Sequence, residues 1–128
     1  MSQSTLAERE DKATKEVVTA FLNAFNRHDV EGIVALMSED CVYESTVPAP
    51  NGTRVVGHPA LREAWKSLFA ARPDAIFKDE ETFIMGDRAV ARWNLCWTDN
   101  GKEQNIRGID ILKVRDGKVV EKLAYTKR

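Results

Sequence analysis

Apolar side chains at Leu6, Val17, Val18, Phe21, Leu22 and Phe25 recur three and four apart, the spacing of one face of an amphipathic helix. That helix runs from a charged opening turn to about Arg27. Asn26-Arg27-His28-Asp29 interrupts it, and Asp29 is suited to cap a short second helix with apolar positions Val30, Ile33, Val34, Leu36 and Met37. The period then changes. Residues 41–45 carry the β-branched and aromatic side chains of a short strand, and Pro48-Ala49-Pro50-Asn51-Gly52 turns the chain back into a strand at 53–56. Gly57-His58-Pro59 opens a third helix, because proline in the first turn loses no hydrogen bond and presets φ. It spans 59–71, apolar at Leu61, Ala64, Trp65, Leu68 and Phe69, and ends before Pro73.

Four strands follow at 75–84, 88–98, 104–114 and 118–125, separated by Gly86-Asp87, Asp99-Asn100-Gly101 and Asp116-Gly117. Helices first and strands after predict an α+β domain, with three helices covering one face of a single curved antiparallel sheet. A twisted sheet of this size can curl around its helices and leave a pocket.

Within that pattern one residue stands out. Asp110 lies among Ile109, Ile111 and Leu112 in the middle of a strand. Strict alternation puts Asn105, Arg107, Ile109, Ile111 and Lys113 on one face, and Ile106, Gly108, Asp110, Leu112 and Val114 on the other. The polar members mark the first face as the wetter one, so Asp110 is expected inside. A carboxylate there must be paired, hydrogen-bonded or protonated, and a poised one can do acid/base chemistry at neutral pH. The hairpin register leaves its neighbour open. A two-residue Asp116-Gly117 turn puts Asp110 with Leu123 and Tyr125, whereas a three-residue loop puts it with Lys122 and Ala124.

The 128 residues suffice for one domain, 1–128, with 1–12 as an N-terminal extension. The 19 basic and 20 acidic residues nearly cancel and form no basic block, so no field favours nucleic acid or anionic lipid. Residues 1–14 lack the apolar stretch of a secretory signal, and no apolar run reaches membrane-spanning length. Cys41 and Cys96 are far apart and the two histidines are scattered, which gives no metal-ligand signature. The expectation is a soluble cytoplasmic protein with free thiols. No phosphate loop or nucleophilic triad is recognisable, so no cofactor is expected.

Several stretches carry a resemblance. Asn26-Arg27-His28-Asp29-Val30-Glu31-Gly32, then Met37-Ser38-Glu39-Asp40-Cys41-Val42-Tyr43-Glu44, the Gly57-His58-Pro59-Ala60-Leu61-Arg62 helix start, and the run from Ile109-Asp110-Ile111-Leu112 through Asp116-Gly117-Lys118-Val119-Val120-Glu121 resemble the nuclear transport factor 2-like superfamily, in its SnoaL-like and ketosteroid isomerase-like branch. The resemblance implies a cone-shaped cystatin-like fold with a pocket between sheet and helices, and a homodimer. The base of a ketosteroid isomerase falls at Ser45, its oxyanion tyrosine at Phe21 and its second acid at Asp110, so two of three functional groups are missing. SnoaL-like polyketide cyclases, with one acid/base aspartate in the corresponding strand, are matched better.

On that reading Asp110 is the candidate catalytic group, and Phe21, Phe25, Tyr43, Trp65, Trp93 and Trp97 are candidate ligand contacts. Tyr43 and Glu44 alternate, so only one faces the pocket. His28 and His58 read as helix-end residues, and Arg92 and Asn94 lie on the opposite sheet face, where a dimer contact is expected. Three functions stay open: a cofactor-independent isomerase, cyclase or lyase acting on a small, largely apolar carbonyl compound; a non-catalytic small-molecule-binding module; or a dimerisation domain.

Overall fold

The structure, a computed structural model, describes residues 5–127. Thr5 caps the first helix, α1 (Leu6–Asn26), by accepting from the Glu8 amide at 3.0 Å. The helix thus takes in most of the stretch assigned to an N-terminal extension, whose residues 1–4 lie outside the described residues. His28 at φ 54° ends the turn, and Asp29 accepts from the Gly32 amide at 3.0 Å to start α2 (Val30–Ala35). After β1 (Met37–Glu44) and β2 (Arg54–Val56) comes α3 (His58–Ala71), with proline in its first turn as its sequence predicts. The meander β3 (Ile76–Met85), β4 (Arg88–Asp99), β5 (Lys102–Arg115) and β6 (Lys118–Thr126) completes the chain.

These elements make one α+β fold, three helices on a six-stranded sheet of order β2-β1-β6-β5-β4-β3. The sheet is antiparallel as expected at every seam but one, where β1 pairs with β6 in parallel. The β6 edge is open once the meander closes, and β1 joins it because α2 delivers the chain there: the Val119 amide donates to the Leu36 carbonyl at 2.7 Å. That contact also starts β1 at Met37, ahead of the β-rich residues 41–45.

Two side chains tie α1 to the far edge of the sheet. Asn26 donates to the Phe77 carbonyl and accepts from the Phe77 amide, both at 2.9 Å, standing in for a strand partner. Thr14 donates to the Gly86 carbonyl at 2.6 Å. Between α1, α3 and the concave sheet face lie Val18, Phe21, Phe25, Ile33, Leu61 and Trp65, all buried. No helix among the described residues is long and apolar enough to cross a membrane.

Both cysteines are free, as expected. Cys41 is buried, and burial first, then the nearby Asp40 carboxylate, pushes its thiol up to about 12. The thiolate is the reactive form, so a disulfide-type thiol reagent should titrate one thiol per native chain at mildly alkaline pH, the half-exposed Cys96, and both in denaturant.

Candidate functional site

The inward assignment of Asp110 holds: Gly108, Asp110, Leu112 and Val114 are the buried members of β5. The hairpin combines both registers that its sequence allows. Its tip is the two-residue turn, with Arg115 paired to Lys118 and both Asp116 (φ 51°) and Gly117 (φ 74°) left-handed. One step on, Val114 pairs with Val119 but Lys113 with Glu121, so Val120 is an extra residue, a β-bulge. The slip sets Asp110 opposite Ala124 and Leu112 opposite Lys122. Lys122 therefore turns inward.

The outcome is a buried ion pair. Lys122 Nζ donates to Asp110 Oδ1 at 3.1 Å, with the two residues 4% and 8% exposed. Burial by itself would push the Lys122 ammonium down. The attraction of Asp110, then of Tyr43, together with the hydrogen bond to Asp110, outweighs that and holds it above the ordinary lysine value. Nζ also sits 4.7 Å from the Tyr43 ring centroid and 5.7 Å from that of Trp65, over electron-rich faces that favour a cation. Burial raises the Tyr43 hydroxyl, so it stays protonated and can donate.

Lys122 lines two neighbouring spaces, and Asp110 lines the smaller of them. The larger, about 520 Å³, lies between α3, β1 and the concave sheet and is lined by Tyr43, Trp65, Phe77, Trp93 and Lys122 among others. That volume suits a two- or three-ring molecule. The smaller, about 40 Å³, lies between α1 and the sheet and is lined by Phe21, Asp79, Thr82, Asp110 and again Lys122. At roughly 10–15 Å³ for each water, it holds a few waters or a protruding ligand group and no more. Phe25, Phe77 and Trp93 line both spaces and form the partition, with Phe25–Phe77 and Phe77–Trp93 ring contacts at 4.5 and 5.0 Å.

Of the aromatic residues that the sequence nominates, Phe21, Phe25, Tyr43, Trp65 and Trp93 are thus brought together around the two spaces. Trp97 is set apart. It packs beside Trp93 and Leu95 at the end of β4, outside the lining, and carries the Arg72 guanidinium 3.8 Å above its ring. Glu44 points away and pairs with Arg54 at 3.5 Å, leaving Tyr43 as the inward member of that alternation. Both histidines are committed to the fold. The Nε2 of His58 donates to the Met37 carbonyl at 2.8 Å, and that of His28 to the Ala75 carbonyl at 2.6 Å.

Lys122 is the site residue that sequence reasoning leaves as one of two alternatives, because its direction depends on a bulge that no turn residue announces. A buried cation is one of the ways a buried carboxylate is compensated, and β6 carries two lysines that could supply it, Lys118 and Lys122. Some polar groups remain unmatched. The buried indole N–H groups of Trp65 and Trp93 have no acceptor. Asp110 Oδ2 and the Tyr43 hydroxyl likewise have no hydrogen-bond partner among the described residues. The site therefore offers a ligand several donors and one free carboxylate oxygen, set in apolar walls.

Comparison with known proteins agrees with this fold. A family model described as a SnoaL-like domain matches residues 18–122. An NTF2-like protein of unknown function from Mesorhizobium loti is 38% identical, with 93% of this chain and 94% of that chain covered and a TM-score of 0.80. A proposed ketosteroid isomerase from Kribbella flavida is 19% identical, covering 97% and 83% at a TM-score of 0.80. A proposed polyketide cyclase from Xanthomonas campestris is 20% identical, covering 92% and 93% at a TM-score of 0.75. At such identities the last two likenesses are likenesses of fold. No curated protein sequence matches the chain.

Proposed function

Since this chain belongs to the SnoaL-like domain family of the NTF2-like superfamily, we propose that it is a cofactor-independent isomerase, cyclase or lyase acting on a small, largely apolar carbonyl compound held in the larger cavity. The observation that carries this is the buried Asp110–Lys122 pair, in which Lys122 lines that cavity and Asp110 lines the small chamber beside it. The substrate oxygen accepts from Lys122, which has N–H donors beyond the one given to Asp110. Asp110 Oδ2 takes the proton from the neighbouring carbon, directly or through a water in the small chamber, and returns it elsewhere.

Charge balance supports the arrangement. Before proton transfer Lys122 is neutralised by the Asp110 carboxylate, and afterwards by the enolate oxygen, so no net charge is left buried at either stage. The test is hydrogen–deuterium exchange at the α-carbon of aryl ketones in heavy water, followed by NMR. Exchange faster than in buffer, absent with Asp110→Asn, is the expected result. No acceleration with any ketone that binds would overturn the catalytic reading.

A second reading, a binding module, is favoured by Ser45 and Phe21, which stand where a ketosteroid isomerase carries its base and its oxyanion tyrosine. Both line the two spaces without supplying either group. Under it ligands bind and no exchange occurs.

We further infer a homodimer through the convex sheet face. Register aligns Phe83, Val90, Ile111 and Leu123 in one row across four strands, pointing away from the helices. Phe83 is 58% exposed, and the row is flanked by the Arg92–Glu81 and Arg88–Glu121 ion pairs at 3.2 and 3.6 Å. An apolar stripe with a charged rim is the anatomy of an isologous interface. Light scattering should give a dimer for the natural chain and a folded monomer for Ile111→Glu; a natural monomer would count against it.

A further inference from the structure

The larger cavity is lopsided in charge and in hydrogen bonding. Its lining contains two cations, Lys122 and Arg72, and no aspartate or glutamate. Lys122 is neutralised by Asp110, which belongs to the small chamber next door. Arg72 is neutralised by nothing: it makes no ion pair among the described residues and rests on the Trp97 ring, 3.8 Å from its centroid. The buried polar groups of the same walls lean one way too, since the Trp65 and Trp93 indoles, 1% and 5% exposed, are donors without acceptors.

We propose that the cavity takes an anion, a flat ring compound whose carbonyl oxygens meet Lys122 and the indole N–H groups and whose carboxylate is held by Arg72. This rests on the small-molecule cavity of the preceding reading and names its ligand class. Resting over the Trp97 ring, the guanidinium gives no N–H to an acceptor among the described residues, and those N–H groups are the fork that grips a carboxylate with two parallel hydrogen bonds. Arg72 closes the C-terminus of α3, and the backbone bond from its amide to the Leu68 carbonyl, 2.9 Å, fixes where the side chain leaves the helix.

The probes are naphthoate and naphthamide of the same ring position, equal in shape and different in charge, titrated calorimetrically. The natural chain should bind naphthoate at least about tenfold more tightly than naphthamide, as a charge-assisted pair requires, and added salt should narrow the gap. Arg72→Gln should abolish the preference by lowering naphthoate affinity to that of naphthamide, and an unchanged circular dichroism spectrum shows that the variant is folded. Asp110→Asn should keep the preference, so that loss of turnover and loss of anion selectivity are read separately. Equal binding of the two probes by the natural chain, or a preference that survives in Arg72→Gln, overturns the inference while the cavity reading stands. Binding of neither probe overturns both.

Discussion

Lys122→Met should cost the fold roughly 3–5 kcal/mol, because it leaves the Asp110 carboxylate buried without its cation. Against a typical total of about 5–15 kcal/mol for a domain, that is enough to lower the denaturation midpoint sharply. The loss is one of compensation more than of attraction, since an ion pair in a dry site does little better than break even against an apolar replacement. The double variant Lys122→Met with Asp110→Leu should therefore recover most of the stability that the single variant loses. A cycle of the two singles and the double, measured by urea unfolding, gives the coupling directly. The sign with pH also follows. Lys122 is raised in the folded state, so its contribution is complete below the unfolded lysine value of about 10.4 and fades as pH climbs past that toward the folded value. Near neutrality the natural chain should show no loss of stability from this group.

That Asp110 could be assigned inward while Lys122 stayed one of two alternative neighbours shows what kind of information local sequence holds. Alternation is a period of two, and five consecutive inward positions from Ile106 to Val114 leave little room for the opposite assignment of Asp110. Capping is equally local: Asp29 and the proline beside His58 act within one turn of where they stand. The tip of the last hairpin is local too, because Asp116 and Gly117 tolerate the left-handed region that a two-residue turn needs. By contrast, the bulge at Val120 depends on how β6 packs against both β5 and the parallel strand β1, a partner about 80 residues away along the chain. The same distance concealed the parallel seam itself. Trp97 fails for a related reason. Its alternation with Trp93 and Leu95 is right, but the end of β4 runs past the cavity, and Arg72, contributed by α3, covers the ring.

Asp110→Asn tests the chemistry with the least change in shape. The amide fills the same space and still offers an oxygen to the Lys122 ammonium, so a ligand should still enter the 520 Å³ cavity. What it removes is the group that accepts and returns a proton. Turnover, read as α-proton exchange, should fall by about two to four decades, the range that general acid/base catalysis contributes. The binding constant of a non-reactive analogue should change by far less. Lys122 registers the substitution independently: without the Asp110 charge, the foremost influence holding it up, burial should dominate and draw its ammonium down toward physiological pH. The variant then gains a pH dependence that the natural chain lacks, with oxyanion binding strongest at low pH and weakening as Lys122 loses its proton. A binding module gives another pattern, with no exchange to lose in either protein and ligand affinity falling in the variant. If exchange survives in Asp110→Asn and disappears in Tyr43→Phe, the proton passes through the Tyr43 hydroxyl, and the buried pair serves only to hold that ring and the ligand oxygen in place.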